Sequence, residues 1–452
     1  MADLLNIGQT TQFKIKKLSL ISKVGVFDIS TLFDELNIFD TIFFPCMSGN
    51  IVIRDAIGLT KKLYFDGSEF LEIEVGKADE DTNTKLKKTF RIYKQAERKN
   101  VNQTSEVYVL HFVSEELIYS LSSAKIRKGY KGNYHDAVID ILSTNLKAAS
   151  KIGYIEKTEG LHSFVVPNLS PNPSLGGIFD ALEWIASRSV GLENIPNYFF
   201  FENRSGFNFV SLGSLLSQKE LFTVNFKPKN LSSDVSEEFL GARDVRVVSQ
   251  YNLAESIMDG VYAGTMIEYD PMTQYYNEKK FNYTNMFIGK KHANLFPNIS
   301  TLKNRDGTDL SQMFDARRIA YVSPAARQSP GPQNSYIKEY DRETSNLIDD
   351  TNRYKFQRKP IITNLMQKRL EVTLPGNFTL SAGYTLFLNM PTRSVADDFG
   401  YDNTLYGKYL ITAARHIIRY DRHETIVELA TDTTNNEFIN SDTAALQQAG
   451  IA

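Results

Sequence analysis

Apolar and polar residues alternate along much of the first quarter of the chain. The alternation over residues 13–30 places Phe13, Ile15, Leu18 and Leu20 at apolar positions, and residues 27–36 continue in the same style. A side-chain period of two is typical of a half-buried strand. Residues 50–54 start another strand, so this part of the chain is predicted to be a series of short strands.

The same pattern continues up to residue 117. Asp66-Gly67 is a turn signal, and residues 70–75 alternate cleanly after it. Residues 76–88 are predicted to be a charged loop. Residues 89–94 and 105–112 then predict a hairpin that turns around residues 99–104. Residues 1–117 are therefore interpreted as an all-β domain with turns at short intervals, as in a small barrel.

Helical spacing replaces the alternation after residue 117. Asn133 can cap a helix whose apolar face carries Ala137, Val138, Ile141, Leu142 and Leu146, with Gly153 as a plausible end. Ser174 can cap a second helix with Ile178, Leu182, Ile185 and Ala186 on one face, ending at Gly191. An aromatic hairpin follows, with strands at 198–202 and 207–211. Residues 118–222 are therefore predicted to form an α+β insert.

Strands resume at residues 243–248 and 260–269, and again from 368 to the end of a last hairpin. We predict a second β-barrel domain from residues 223–289 and 361–437, entered through a short helix at 361–367. Residues 290–360 form a loop-rich insertion; three prolines lie within 323–335, where almost nothing can be buried. Residues 438–452 are a polar C-terminal tail.

The spacing of the two β regions predicts an internal duplication. The hairpin partners Phe90 and Tyr108 are 18 positions apart, as are Tyr409 and Val427 (from 90 to 108 and from 409 to 427). Each pair follows a turn and a strand, at Asp66-Gly67 and at Ala382-Gly383. Any two antiparallel barrels can show similar spacing, which is the alternative. Two similar barrels in each chain would let a trimer present six of them around its axis.

Composition narrows the class of protein. The 452 residues include 29 Phe and 23 Tyr but one Trp, which favours strands and large packed surfaces. A net charge of −2 does not suit a dedicated nucleic-acid binder. The single cysteine, Cys46, excludes an internal disulfide, and its apolar surroundings predict a buried thiol. We find no signal peptide and no segment with the roughly 20 apolar residues of a membrane helix, so we expect a chain that folds in a cytoplasm.

Catalytic patterns were sought, and the sequence predicts no catalytic, cofactor-binding or metal-binding residue. The six histidines have no zinc-binding spacing with one another or with Cys46; they are His111, His135, His162, His292, His416 and His423. Asp398-Phe-Gly400 imitates a kinase triplet without its partner motifs. Glu72 and Glu74 share one strand face, which could suggest paired acids but favours a solvated face.

Three stretches together resemble the central hub proteins in the baseplates of T-even-like myoviruses. They are the aromatic hairpin at 198–212, the strand and Gly-x-Phe-x-Leu turn at 369–383, and the closing hairpin at 407–418 with 424–429. With the order of barrel, insert and barrel, the resemblance covers roughly residues 11–437. Residues 290–360 and 438–452 have no counterpart in it.

The resemblance implies a β-rich α+β fold with two similar antiparallel, tube-like β-barrel domains. It implies a non-enzymatic structural protein of the virion, a homotrimer that imitates six-fold symmetry in the baseplate of a contractile tail. Its partners would be the tail tube protein and the central spike protein, with the tape measure and baseplate wedge proteins as further candidates. DNA would only pass through its channel, no membrane would be entered, and assembly would take place in the host cytoplasm.

Two other functions stay open at this point. One is a receptor-binding or glycan-binding tail component that uses the loop at 323–335. The other is a peptidoglycan hydrolase. The small basic clusters Lys290-Lys291 and Arg317-Arg318 are predicted to lie in a solvated loop, with docking onto an acidic partner as the alternative.

Overall fold

The structure, a computed structural model, describes most of the chain. The described residues are 13–76, 85–102, 105–122, 126, 128–160, 162–165, 177–193, 195–226, 241–270, 275–287, 289–297, 302–304, 307–322, 356–391, 401–402 and 404–435. The predicted contact loop at 323–335, the polar tail at 438–452, Ser174 and Asp398-Phe-Gly400 lie outside them.

The described residues before 115 form seven strands. They are β1 (Lys14–Ser22), β2 (Gly25–Asp28), β3 (Phe33–Thr41), β4 (Ser48–Asp55), β5 (Phe70–Gly76), β6 (Leu86–Asn100) and β7 (Glu106–Ser114), with a one-turn helix α1 (Leu59–Lys62) after β4. Alternating apolar residues favour these strands, since successive side chains of a strand point to opposite faces and the apolar ones are buried on one face. In β5 the buried residues are Leu71, Ile73 and Val75. The predicted loop at 76–88 is too long: strand β6 already begins at Leu86.

The insert combines four helices with short strands. Its elements are α2 (Glu115–Ser122), β8 (Gly129–Gly132), α3 (Tyr134–Asp140), β9 (Ile152–Ile155), β10 (His162–Val165), α4 (Ile178–Arg188), β11 (Tyr198–Asn203), β12 (Gly206–Ser211) and α5 (Leu212–Ser217). The apolar residues predicted for the two helix faces are buried, but α3 ends at Asp140 and Ile141–Asn145 forms a π-helical turn. Helix α2 was not predicted, Asn133 makes no side-chain cap, and Gly153 lies in β9 instead of ending a helix.

The remaining elements fall into two groups. The strands of the second β region are β13 (Thr223–Phe226), β14 (Gly241–Ala242), β15 (Asp244–Ser249), β20 (Lys368–Pro375), β21 (Thr385–Asn389), β22 (Gly407–Arg419), β23 (His423–Thr431) and β24 (Thr433–Thr434). Between β15 and β20 lie α6 (Leu253–Met258), β16 (Gly264–Asp270), β17 (Tyr275–Phe281), α7 (Tyr283–Phe287), β18 (Phe296–Pro297), β19 (Arg318–Val322) and α8 (Arg358–Gln367). The predicted strand at 260–269 does form as β16, but it pairs with β17 and β19 in a separate sheet.

Five strands in each β region follow one order. The neighbours are β3, β4, β7, β6 and β5 in the first set and β15, β20, β23, β22 and β21 in the second, and all adjacent pairs are antiparallel. The strands also occur in the same sequence order in both sets. We call these groups the first and second five-strand sets.

Residue register follows the same plan in both sets. Strand β6 has a bulge between Ile92 and Lys94, and β22 has one between Ile411 and Ala413. The residue rows that start at these bulges cross four strands each: Ile92, Phe112, Gly49 and Ile38 in the first set, and Ile411, Leu429, Leu370 and Val247 in the second. The likeness therefore extends to individual positions.

The two sets are joined edge to edge within the chain. The first part of strand β22, residues 407–410, pairs with β21. Along the same edge, the second half of β22 pairs with β3, from Ala413 opposite Thr41 to Arg419 opposite Glu35. The result is one sheet of 14 strands. The sheet is branched at β22, which pairs with β21, β23 and β3, and the described strands do not show the two closed barrels expected from the sequence.

Candidate functional site

Glu72, Glu74 and Cys46, which the sequence analysis considered as candidate site residues, have structural surroundings in the fold. Glu72 and Glu74 make cross-strand ion pairs with Lys17 at 2.7 Å and with Lys87 at 3.7 Å. Cys46 is buried, as predicted, and its burial raises the pKa of the thiol. Within the described residues, no group of three or more His, Cys, Asp or Glu side chains could hold a metal ion.

The histidine pair His416 and His423 forms part of an aromatic cluster. The two rings are 5.5 Å apart, and both lie within 5 Å of the Phe378 ring, at 4.8 and 4.5 Å between centroids. Burial lowers the pKa of His416 to about 3, so its ring stays neutral, and Nδ1 lies 3.1 Å from Thr425 Oγ1. His416 is therefore a packed, hydrogen-bonded residue of the strand.

The two basic clusters are only partly solvated, because Lys291 is exposed whereas Arg317 is bound within the fold. Arg317 donates to the carbonyl groups of Asp259 at 2.8 Å and Phe356 at 3.0 Å, and its burial lowers its pKa. Lys290 donates to the carbonyl of Glu193, and the amide of Lys291 donates to the Glu193 carboxylate at 3.0 Å. These residues fasten the 290–322 segment to the rest of the fold, a role that the loop prediction missed.

A buried polar group with partners in several parts of the fold lies at the tip of the aromatic hairpin formed by β11 and β12. We call residues 202–205, with their partners from both five-strand sets, the hairpin joint. Strands β11 and β12 are buried along their whole length, because Phe side chains fill both faces. Their rings stack with one another, for example Phe200 on Phe207 at 5.7 Å. The rigid hairpin therefore carries its polar tip into the interior.

Glu202 ties the joint to the first five-strand set. Its carboxylate accepts hydrogen bonds from the amide of Met47 at 2.9 Å, from the Ser114 hydroxyl and from the Lys88 ammonium at 2.8 Å. Lys88 also donates to the Asn203 carbonyl at 2.8 Å. Burying a carboxylate is costly unless it is hydrogen-bonded and paired with an opposite charge, and Glu202 has both kinds of contact here.

Asn203 and Arg204 tie the joint to the second five-strand set. The Asn203 side chain donates to the Ala382 carbonyl at 3.0 Å, and the Arg204 amide donates to the Ser381 hydroxyl at 3.4 Å. Gly383, with φ of +90°, lies against the Phe201 ring, where an added Cβ would be 2.6 Å from Cζ. The tip of the hairpin thus fixes the positions of the insert, the first five-strand set and the second five-strand set relative to one another.

The junction of β3 with β22 is a second fixed point. The Asp40 carboxylate accepts a hydrogen bond from the Ser381 hydroxyl, and burial raises its pKa to about 6. Further along the seam, Arg419 Nε donates to Glu35 at 2.8 Å, and Arg415 donates to the Asn37 side chain at 2.9 Å. Charge and sheet pairing together fix the register of the two sets.

A polar cavity of about 400 Å³ lies beside the hairpin joint. Its charged lining residues are Glu72, Lys87, Lys88, Glu116, Lys151, Glu202 and Arg204. Acids and bases are nearly balanced there, and Lys151 bonds Glu116 at 2.5 Å. Chemically the arrangement serves to hold parts together, since its carboxylates are already committed to cations within the fold.

Sequence reasoning did not find the hairpin joint. Lys88 and Glu202 are 114 positions apart, and Asn203 and Ala382 are 179 apart. One signal was available: Glu202 is an acid at the end of the run Tyr-Phe-Phe-Phe, in which every other residue is apolar. An acid in such a strand indicates a buried, paired carboxylate.

Comparison with known proteins defines the fold. No family model and no curated protein matches the chain. The 43 kDa tail protein of prophage MuSo2 from Shewanella oneidensis is 7% identical, with a TM-score of 0.51 and coverage of 93% of this chain and 99% of that one. A tail protein from Neisseria meningitidis is 11% identical, with a TM-score of 0.49 and coverage of 93% and 97%. An E. coli type VI secretion component is 7% identical, with a TM-score of 0.39 and coverage of 93% and 76%.

The likeness to the Shewanella protein shows that this chain has the fold of a phage tail protein. It extends over nearly the full length of both chains. The described part of the chain contains no helix with the length and apolar character needed to cross a membrane.

Proposed function

We propose that this protein is a baseplate hub of a contractile phage tail, a homotrimeric adaptor that joins the hexameric tail tube to the trimeric central spike. It would act in the virion, after assembly in the host cytoplasm, and its role is structural and not catalytic. The fold of a phage tail protein supports this proposal at the level of architecture.

The observation that carries the proposal is the repeated strand order within one chain. A heterologous contact repeated around an axis closes into a ring. Two five-strand sets of like register in each chain give three copies six similar units, which suits a six-fold partner on one side and a three-fold partner on the other. The likeness of the two sets favours this function over receptor binding or cell-wall hydrolysis, because neither of those requires a duplicated sheet.

The hairpin joint gives the proposed adaptor its mechanical character. Glu202, Asn203 and Gly383 fix the two sets relative to the insert through buried contacts. Such contacts resist deformation because separating the partners would leave an unpaired charge in the interior, which costs several kcal/mol. A rigid unit transmits a displacement of the tail tube to the spike instead of absorbing it.

The experiment is reconstitution with the cognate spike and tube proteins. Purified chain, mixed with spike, is expected to form a complex with three copies of each protein, and that complex is expected to seed tube polymerisation. The proposal fails if the chain stays a single copy and binds neither protein. Clearing of a cell-wall gel by the chain alone would instead favour a peptidoglycan hydrolase, and retention on host glycans would favour a receptor-binding component.

A further inference from the structure

Two strand edges of the five-strand sets have no strand partner in the described part of the chain. The first is the side of β15 that faces away from β20. The second is the second half of β6, residues 94–100, on the side away from β7, because β5 pairs only with residues 86–91. An edge strand presents unpaired N–H and C=O groups that can pair with another strand.

The chain itself contains the pairing that these two edges would make. In the shared strand order, β15 is the equivalent of β3, and the second half of β6 is the equivalent of the second half of β22. Within the chain, β3 pairs with that half of β22 directly after the bulge at Ile411. The equivalent bulge at Ile92 is followed by the open half of β6.

Local contacts at the two bulges are also alike. The amide of Ile411 donates to the Tyr384 carbonyl at 2.8 Å, and the amide of Ile92 donates to the Glu69 carbonyl at 3.0 Å. In each case the bond marks the end of the pairing with the neighbouring strand, which is β21 for β22 and β5 for β6. Beyond it, β22 pairs with β3, whereas β6 continues as an open edge.

Burial distinguishes the occupied edge from the open one. Ile38 of β3 is fully buried, whereas its equivalent Val247 of β15 is 43% exposed, and the next residue, Val248, is 41% exposed. On the β6 side, the buried side-chain Nε2 of Gln95 has no hydrogen-bond partner among the described residues. Exposed valines on an unprotected edge are a feature that soluble monomers avoid.

We infer that the open edge of β15 pairs with the open half of β6 in a second copy of this chain, repeating between copies the seam that β3 and β22 make within one. The inference rests on the proposed function, in which copies surround an axis. Charge fits as well: Asp244 of β15 stands where β3 has Glu35, and β6 supplies Lys99 near the end where β22 has Arg419.

The equivalent rows give a register for the seam. Arg415 lies opposite Phe39 within the chain. Ala96 is the equivalent of Arg415, because each is the fourth residue after the isoleucine at its bulge. Ser249 is the equivalent of Phe39, because the two residues hold the same position in the pairing of β15 with β20 and of β3 with β4. Ala96 of one copy should therefore lie opposite Ser249 of the next.

A cysteine pair tests this register in the full chain. The double variant Ala96→Cys with Ser249→Cys should shift under mild oxidation from the single-chain mass to covalent dimers and trimers, because paired strands bring Cα atoms within disulfide range. The only native cysteine, Cys46, is buried and does not compete. The control combines Ser249→Cys with Tyr420→Cys, an 87% exposed turn residue, and should stay at the single-chain mass.

A charge placed on the edge tests the seam without cross-linking. Val247→Lys should abolish the assembled species in sedimentation and leave the thermal unfolding midpoint unchanged. Val26→Lys is the matched control, since Val26 is 63% exposed on the edge strand β2, and it should assemble like the parent chain.

The outcomes of these experiments test the strand pairing between copies separately from the proposed hub function. A chain that assembles but gives no Ala96–Ser249 cross-link, and that tolerates Val247→Lys, overturns this seam and leaves the hub proposal standing. Destabilisation of a monomer by Val247→Lys, also without the cross-link, would show that another segment of the same chain covers β15 and would overturn the seam. A chain that never assembles and never cross-links overturns both proposals.

Discussion

The carboxylate of Glu202 lies 2.8 Å from the ammonium group of Lys88, and the two side chains are only 3% and 17% exposed. This ion pair joins the aromatic hairpin of the insert to strand β6 of the first five-strand set. An exposed ion pair adds little to stability, whereas removing one partner of a buried pair leaves an uncompensated charge.

Breaking this pair should be costly. Glu202→Gln is expected to lower the free energy of unfolding by about 3–5 kcal/mol, since Lys88 then lacks an anionic partner in the interior. The double variant with Lys88→Met should lose less than the sum of the two single variants. Urea denaturation of all four proteins measures the cycle.

An exposed pair in the same chain is the control. Lys23 and Asp66 are also 2.8 Å apart, but their side chains are 73% and 41% exposed. Lys23→Met should change the free energy of unfolding by about 0.2–1 kcal/mol. Equal effects of Glu202→Gln and Lys23→Met would show that the hairpin joint is not a stabilising contact.

The contact of Gly383 with Phe201 predicts a second sensitive position. Gly383→Ala should destabilise the fold for two reasons: the residue has a left-handed φ of +90°, and the new Cβ would lie 2.6 Å from the Phe201 ring. Gly307→Ala isolates the first reason, since Gly307 has φ of +82° and nothing within 4 Å.

Thermal unfolding of the two glycine variants measures the difference. The Gly383 variant should show the larger fall in unfolding midpoint. Replacing the ring by Phe201→Leu in the same chain should recover part of that fall. If Gly307→Ala is as damaging as Gly383→Ala, backbone strain alone explains the effect and the close contact plays no part.

The strands that line the two cores could be predicted from the sequence. In β5 and β20 the alternation is strict because one face is buried and the other solvated, so Leu71, Ile73, Leu370 and Val372 identify their own faces. The duplication was visible as strand spacing, but the equal spacing of 18 residues does not mark ladder partners. Phe90 pairs with Ser114, and Val427 pairs with Ala414. The equivalent of Val427 in the first set is Leu110, because the β6–β7 hairpin carries an extra bulge at residues 96–99.

The joining of the parts could not be predicted in the same way. The pairing of β3 with β22 links residues almost 400 positions apart, and local periodicity contains no information on such partners. Polar residues such as Lys88 and Arg317 look solvated in the sequence, because their buried partners are backbone carbonyls and distant acids.

The buried carboxyl of Asp40 predicts a pH dependence. Burial raises its pKa from 3.8 to about 6, despite the hydrogen bond from Ser381. Folding therefore favours the protonated form, and this contribution to stability is present below the unfolded value and is lost as the pH rises through about 6. Relative to the parent chain, Asp40→Asn should gain in free energy of unfolding between about pH 4 and pH 7. A constant difference across that range would contradict the assignment.

His416 predicts the opposite trend at the same seam. Burial lowers the pKa of its imidazole from 6.5 to about 3. The unfolded chain takes up a proton below 6.5 and the folded chain does not, so the contribution is complete above that value and is lost as the pH falls towards 3. His416→Gln cannot titrate, and its deficit relative to the parent chain should shrink on acidification. Denaturant titrations at several pH values test this, and a deficit that grows on acidification would refute the neutral ring.

The most direct test of the central claim is a low-resolution electron-microscopy reconstruction of the purified protein with its spike. The account predicts a ring of three chains, each contributing two like sheet sets, so that six similar lobes surround an axial channel. A particle with the 51.3 kDa mass of one chain and no channel would contradict it.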